Sequence, residues 1–297
     1  MVTPATGGRL DANSQYLLRP GGAESNVATH LVALGHHAAW ASQVGRDPLG
    51  QLIVNDLEQN GVDTSLVTRV DGFPTGVYFK DPSPQGTTVY YYRAGSAASH
   101  MGPASAALWA QTPPRVLHLS GITAALSESC FELLQHLIID RPIKTTVSFD
   151  VNYRAQLFTD KTADTLFALA QASDIVFVGR DEAELLWSTS TTDEIRALLT
   201  EPSALVVKDG AVEAVSYSAD GVFHIPSPTV QVLDPVGAGD AFAAGWLSGY
   251  LDNLDPVTTL RLGHYVASRV LTSPTDHAAL GTRAEIGAIL ERPTSEW

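Results

Sequence analysis

One cysteine, Cys130, stands in 297 residues, so the chain closes no internal disulfide and builds no multi-cysteine zinc site, as fits a reducing compartment. Taken alone, Cys130 reads as a small buried hydrophobe. Basic residues are also scarce: 18 Lys and Arg stand against 32 Asp and Glu, for a net charge of −14. Nucleic acid and anionic membrane both require clustered cations, so neither is expected as a partner. An anionic substrate must then be met by a few local cations working against the overall field. No run approaches the ~20 apolar residues that cross a bilayer, and no charged-then-apolar leader opens the chain. A soluble, cytoplasmic protein is expected. Internal repeats, low-complexity tracts, a GxSxG elbow and a GxxxxGK(S/T) loop are all missing. The nine histidines form no HxH or HxxxH pair, which speaks against a structural metal site.

The sequence does have 44% hydrophobic residues, enough for one large core. Apolar runs at 38–44, 116–119, 146–150, 175–178 and 204–207 read as buried parallel strands. Amphipathic stretches at 26–34, 49–60, 127–139, 162–172, 181–187 and 241–251 read as helices between them. This order predicts a layered α/β fold with a mostly parallel central sheet. Residues 67–96 break the pattern. Rich in Tyr, Val and Thr, with turns at Asp71-Gly72 and 81–86, they predict a small β-sheet inserted as a lid on a single domain spanning 1–297.

The most informative stretch is Asp234-Pro-Val-Gly-Ala-Gly-Asp240, running directly into the helical 241–251. A glycine loop before a helix aims unpaired backbone N–H groups and the positive dipole end at one point, which suits a phosphoryl group gathering charge during transfer. Gly237, Ala238 and Gly239 are therefore candidates for an anion hole. Asp240, beside it, is placed to accept the proton of an attacking hydroxyl. A lone GxGD would read equally as a turn followed by a first-turn acid favouring the macrodipole.

The whole stretch, with the small residues after Asp240, resembles the second signature of the ribokinase (PfkB) family of carbohydrate kinases. Gly21-Gly22-Ala-Glu-Ser-Asn-Val-Ala28 resembles the first. The resemblance covers nearly the whole chain and implies a ribokinase-like three-layer fold with ATP and Mg²⁺ as cofactors. It places Gly22 and Asn26 at the sugar. It also places the nucleotide beside the strand and turn around Lys208 and Gly210, with the helical 262–273, including His264, next to the adenine. Glu182 occupies the acidic place of a motif that helps to hold magnesium through water. The motif's asparagine is here Gly179, so an ordinary helix-start acid is the competing reading.

Two further segments, Tyr90-Tyr-Tyr-Arg93 in the lid and Asn152-Tyr-Arg154 after an apolar strand, resemble the 2-keto-3-deoxygluconate kinases of the family. A planar guanidinium grips a carboxylate through two charge-assisted hydrogen bonds, which a neutral hexose does not call for. The resemblance thus implies Arg93 and Arg154 as a carboxylate clamp, with Asn152 facing the acidic sugar and Tyr78, Tyr91 and Tyr92 as hydroxyl or stacking partners. Successive strand residues face opposite ways, so Tyr91 and Tyr92 cannot both line one side without a bulge. The expected activity is phosphoryl transfer from ATP to the terminal hydroxyl of 2-keto-3-deoxygluconate. A kinase for fructose or another neutral sugar and a catalytically silent sugar-binding homologue are the rivals. A homo-oligomer joined through the lid is expected. Family members open with a strand that Met1-Val-Thr-Pro4 does not supply, so a central strand is expected to be missing from the sheet or replaced by another segment.

Overall fold

The computed structural model describes residues 1–292 apart from 6–7, 84–85, 159–161 and 274. The chain enters through two short strands, β1 (Val2–Pro4) and β2 (Tyr16–Leu18), followed by α1 (Ala23–Ala33), β3 (Ser42–Gly45), α2 (Pro48–Gln59) and β4 (Val67–Val70). Helix α2 starts where the Asp47 carboxylate accepts the Gly50 N–H and Pro48 presets the first helical φ. The hairpin β5 (Val77–Ser83) and β6 (Gly86–Tyr92) comes next, then α3 (Pro103–Trp109), β7 (Val116–Ser120), α4 (Gly121–Ala124) and α5 (Glu128–Gln135). The helix expected at 127–139 ends as a wider turn, His136–Asp140, that stops at Arg141 in the left-handed region. β8 (Thr146–Asp150), α6 (Thr162–Gln171), β9 (Ile175–Gly179), α7 (Arg180–Trp187), α8 (Thr192–Leu198) and β10 (Ala204–Asp209) continue the alternation. The hairpin β11 (Glu213–Ser218) and β12 (Gly221–Pro226) precedes α9 (Ala238–Leu251), α10 (Pro256–Leu271) and α11 (Arg283–Leu290).

Six strands form the central sheet in the order β12-β11-β10-β9-β8-β7. β7 to β10 are mutually parallel, and the β11–β12 hairpin adds an antiparallel edge. Alternation along β9 shows why both faces are covered. Ile175 and Phe177 pack with Val27 of α1, Phe242 and Trp246 of α9 and Leu260 of α10, whereas Val176 and Val178 pack with Leu133 of α5, Leu166 of α6, Ala183 of α7 and Ile195 of α8. The result is the expected three-layer arrangement. Each such fully buried side chain contributes ~1.5–3 kcal/mol. Helices α9 and α10 approach closely because a side chain at Gly245 would lie 2.5 Å from the Leu262 carbonyl. On α10, His264 Nε2 meets the Ile225 carbonyl of β12 at 3.0 Å, and burial lowers its pKa to about 4. Among the described residues no helix is long and apolar enough to cross a membrane.

The lid differs from the expected 67–96 segment. Its sheet runs β2-β1-β5-β6, so two strands from the start of the chain join the 77–92 hairpin. Strand β4 lies outside it, paired in parallel with β3, because Val67–Val70 matches Ser42–Gly45 residue for residue. The apolar alternation of the lid hairpin was legible; the partner of β4 depended on a contact 25 residues distant in sequence.

Met1 to Pro4 therefore belongs to the lid and fills no place in the central sheet. Among the described residues no ladder joins β3 to β7. The two strands instead flank a largely apolar cleft of about 590 Å³ lined by Ala39, Ala41, Gln43, Val116, Leu117 and His118, among others. Both strands begin beside the end of α9, where His36 meets Ser248 and Arg115 meets the Leu251 carbonyl, and both end near α1 and the lid root. A bare strand edge facing apolar walls lacks the hydrogen-bond partners that stabilise a buried sheet. Since Val2 pairs with Phe79 and Val77 lines the cleft, Met1 sits at its lid end. A five-residue apolar strand joined ahead of Met1 by a short flexible linker is expected to raise Tm above that of a linker-only variant. Equal melting of the two by calorimetry would show that the cleft takes no strand.

Candidate active site

The glycine loop closes the central sheet's phosphate end in a form its sequence dictates. Gly237 has φ +86°, a conformation in which a Cβ would be strained, and it caps α9 without any side-chain hydrogen bond. The Ala238 N–H reaches back to the Pro235 carbonyl at 3.3 Å, and the N–H of Gly239 follows at a positive helix end that no side chain caps. Helix α9 buries ten of its fourteen residues, Asp240 among them.

Asp240 is held from two sides. Asn26 Nδ2 of α1 donates to Asp240 Oδ2 at 2.8 Å, and Asn152 Nδ2 donates to Oδ1 at 3.2 Å. Burial pushes the Asp240 carboxyl up to about 7, against the Asn26 hydrogen bond, and the nearby Asp150 charge adds to the rise. A carboxylate with this poise accepts a proton near neutral pH. Asn26 was expected at the sugar, but its amide is turned onto the base instead, with Oδ1 meeting His277 Nε2 at 3.1 Å. Asn152, in the left-handed region at φ 43°, keeps its buried Oδ1 without a hydrogen-bond partner among the described residues.

Near the end of β10, Lys208 Nζ bonds both Asp150 oxygens at 3.1 and 2.9 Å. Burial alone would lower its pKa, but Asp150 and Glu182 hold it raised and charged. A side chain begun at Gly239 would come within 3.5 Å of this ammonium, so cation and anion loop adjoin. Gly210 occupies the exposed left-handed turn of the β10–β11 hairpin beyond it. His264 departs from its expected place by the adenine, since its ring is buried between α10 and β12. Glu182 Oε2 accepts the Gly179 N–H at 2.7 Å and Oε1 accepts the Tyr153 N–H at 2.8 Å. Both oxygens are thereby engaged, and among the described residues no group of three His, Cys, Asp or Glu is gathered to hold a metal. Each oxygen keeps a further lone pair, so the carboxylate would fit a magnesium ion brought with a nucleotide through a bridging water.

At the sugar end the lid strand sorts its own residues. Tyr91 and Arg93 face inward, whereas Tyr92 is 68% exposed and rests edge-on against Phe79, a correction to its expected substrate role that follows from strand alternation. Tyr78 lies 5.9 Å from Tyr91 between ring centroids and donates its hydroxyl to Asp276 Oδ2 at 3.0 Å. A Cβ at Gly21 would come within 2.1 Å of the Tyr78 hydroxyl, which explains the first glycine of the pair; Gly22 caps α1 beside it. Residues 89–94 of the lid and Gln156 and Leu157 line a shared opening of about 480 Å³. Arg154 donates to the Tyr153 carbonyl at 2.7 Å and to Glu182 Oε1 at 3.4 Å. Asp150 and Asp276 were not singled out from sequence. Asp150 does carry a signal, an acid ending an apolar strand, whereas Asp276 sits in a loop with no periodicity.

The pfkB family carbohydrate kinase profile matches residues 2–282. Among characterised relatives, the 2-dehydro-3-deoxygluconokinase of Bacillus subtilis (strain 168) is 36% identical over 91% of this chain and 86% of its own length. That of Thermoproteus tenax is 31% identical over 91% and 85%. The crystal structure of a PfkB protein from Polaromonas sp. JS666 superposes with a TM-score of 0.85 at 30% identity, over 97% of this chain and 95% of that one. This chain belongs to the pfkB family of carbohydrate kinases.

Replacing Asp240 by Asn is expected to lower kcat by ~10²–10⁴ with ATP affinity, measured by calorimetric titration, unchanged. The parent's kcat/KM should rise with pH through about 7 as Asp240 ionises. Stability carries the opposite sign: a carboxyl whose folded pKa is raised loses its contribution as pH climbs from the unfolded value near 4 through 7. Asp240→Asn should therefore melt higher than the parent at pH 8 and converge with it near pH 4. Parent-like turnover in the variant would remove Asp240 from the base role.

Proposed function

We propose that the protein transfers the γ-phosphoryl group of ATP to the terminal hydroxyl of 2-keto-3-deoxygluconate. The observation that carries the acidic-sugar reading is Arg93. Its half-buried guanidinium, beneath the lid, makes no hydrogen bond or ion pair among the described residues, and desolvation lowers its pKa despite the nearby Glu24. A largely desolvated cation with a carboxylate near it but no direct ion pair is a strong site for a substrate carboxylate. Arg154, whose pKa is raised by Glu182 and Asp240 against the effect of burial, is the second arm of the clamp. The Bacillus subtilis and Thermoproteus tenax relatives are both named as 2-dehydro-3-deoxygluconokinases, which supports this reading.

In the reaction, the substrate hydroxyl gives its proton to Asp240 as its oxygen bonds to the γ-phosphorus. The bond from that phosphorus to the β,γ-bridging oxygen breaks, and ADP leaves. Gly237 to Gly239 receive the charge on the transferring group, with Lys208 adjoining, and Tyr78, Tyr91 and the free Asn152 oxygen orient the sugar. Magnesium would accompany the ATP phosphates and reach Glu182 through water. Closure of the lid excludes water from the transfer. Outside the site, Tyr16, Leu18, Tyr90 and Tyr92 are exposed on the lid, an apolar surface that suits pairing with a second copy in a cytoplasmic homo-oligomer.

ADP release with magnesium, ATP and a panel of acidic and neutral sugars tests the reading. Arg93→Ala is expected to lower kcat/KM for 2-keto-3-deoxygluconate by roughly 10²-fold while leaving slow turnover of neutral sugars unchanged. A parent that prefers fructose would retire the clamp, and ATP binding without turnover on any sugar would mark a silent homologue.

A further inference from the structure

A second cation links the lid to the phosphate loop. Lys80 projects from β5 with a fully buried side chain, and its Nζ bonds Asp234 Oδ2 at 2.8 Å and Asp276 Oδ1 at 2.5 Å. Asp234 opens the glycine loop, and its other oxygen accepts the Val236 N–H at 3.1 Å and the Thr87 hydroxyl at 3.5 Å. Asp276 is packed against Gly237, where a Cβ would stand 3.1 Å from its own. Its remaining oxygen takes the Tyr78 hydroxyl, and the next residue, His277, holds Asn26, which in turn holds Asp240. One ammonium thus touches two carboxylates from separate loops of the body while belonging to the lid. Both loops adjoin the catalytic machinery.

Two carboxylates confined at low dielectric under a loop that must receive an anion would repel that anion unless a cation offset them. Lys80 supplies the offset, and it does so only when β5 lies over the loop. A lysine serving the core alone would not need to span lid, glycine loop and the 275–277 loop together. The phosphate end is thereby made sensitive to the position of the sugar end, 154 residues away along the chain but joined to it by a single ion pair.

We infer that Lys80 is a positioning residue for phosphoryl transfer: it clamps the lid to the 234–239 loop, fixing the anion hole when the lid is closed. This rests on the kinase reading above. Lys80→Ala is expected to lower kcat by ~10²-fold, with KM for ATP changed by less than about threefold. Added ethylammonium, which fits the truncated site, should recover at least about tenfold of that kcat in a saturable manner, whereas the bulkier tetramethylammonium should not. Turnover within threefold of the parent, or a loss that ethylammonium leaves unaltered, would overturn the inference. If Lys80→Ala does not fold, Lys80→Arg keeps the charge but displaces it; a parent-like Tm with kcat lowered about tenfold supports the clamp, and full kcat refutes it. Amide exchange decides the matter without catalysis. In either variant, β5–β6 and residues 235–240 should lose protection together while β8 to β10 keep theirs, and unchanged exchange at 235–240 would sink the clamp even in a protein that phosphorylates no sugar. Failure of the parent to turn over any sugar, with that joint loss of protection intact, would instead sink the kinase reading.

Discussion

A carboxylate buried in the first turn of a helix is the constraint around which this molecule is arranged. For the proposed transfer Asp240 must lie close to the N–H groups at that helix end and yet must not be neutralised by them or by a neighbouring cation, since a permanently paired carboxylate is a weak base. The solution is two neutral amides, Asn26 and Asn152, which orient both oxygens without contributing charge. They arrive from α1 and from the turn after β8, so the geometry of the base depends on the two helical layers and the sheet being locked together. The shared cluster of Val27, Phe177, Phe242 and Trp246 does that locking.

Charges are distributed around the base in a graded way. Lys208 is bound by Asp150, Arg154 is partly engaged by Glu182, and Arg93 has no protein partner among the described residues. In an acidic protein this grading matters, because the overall field opposes entry of an anionic sugar or nucleotide. Cations already bonded to carboxylates hold their neighbours in place, and in the proposed reading the one without a direct ion pair is left for the substrate. The lid strand presents that side chain on the inner face simply because Arg93 is two residues from Tyr91 and one from the exposed Tyr92.

Much of this was legible before any coordinates. The parallel strands at 116–119, 146–150, 175–178 and 204–207 all form within a residue or two of their apolar runs, since a strand covered on both faces leaves an uninterrupted hydrophobic signature. The glycine loop and Asp240 were legible because backbone conformation there admits few residue types. What escaped is long-range. The pairing of β4 with β3, the recruitment of residues 2–4 and 16–18 into the lid, and the turning of Asn26 onto Asp240 are set by contacts between segments whose local patterns carry no record of their partners. His264 was misplaced for a related reason: its helix was identified correctly, but the side of that helix facing β12 depends on how α10 sits against α9.

The buried histidines have a consequence for the whole fold. His30, bonded to the Asp276 carbonyl, and His264 are each lowered by burial to about 4, so below the ordinary value of 6.5 the unfolded chain takes up two protons that the native state refuses. Asp240, lifted to about 7, does the reverse and binds in the native state one proton that the unfolded chain releases. Taken together, these three groups leave a net difference of one proton between about pH 4 and 6.5, a slope of roughly 1.4 kcal/mol per pH unit where the imidazoles alone would give twice that. Asp240 thus acts as a proton counterweight to these two core histidines, so that one carboxyl on α9 halves the steepness with which they oppose folding as the pH falls.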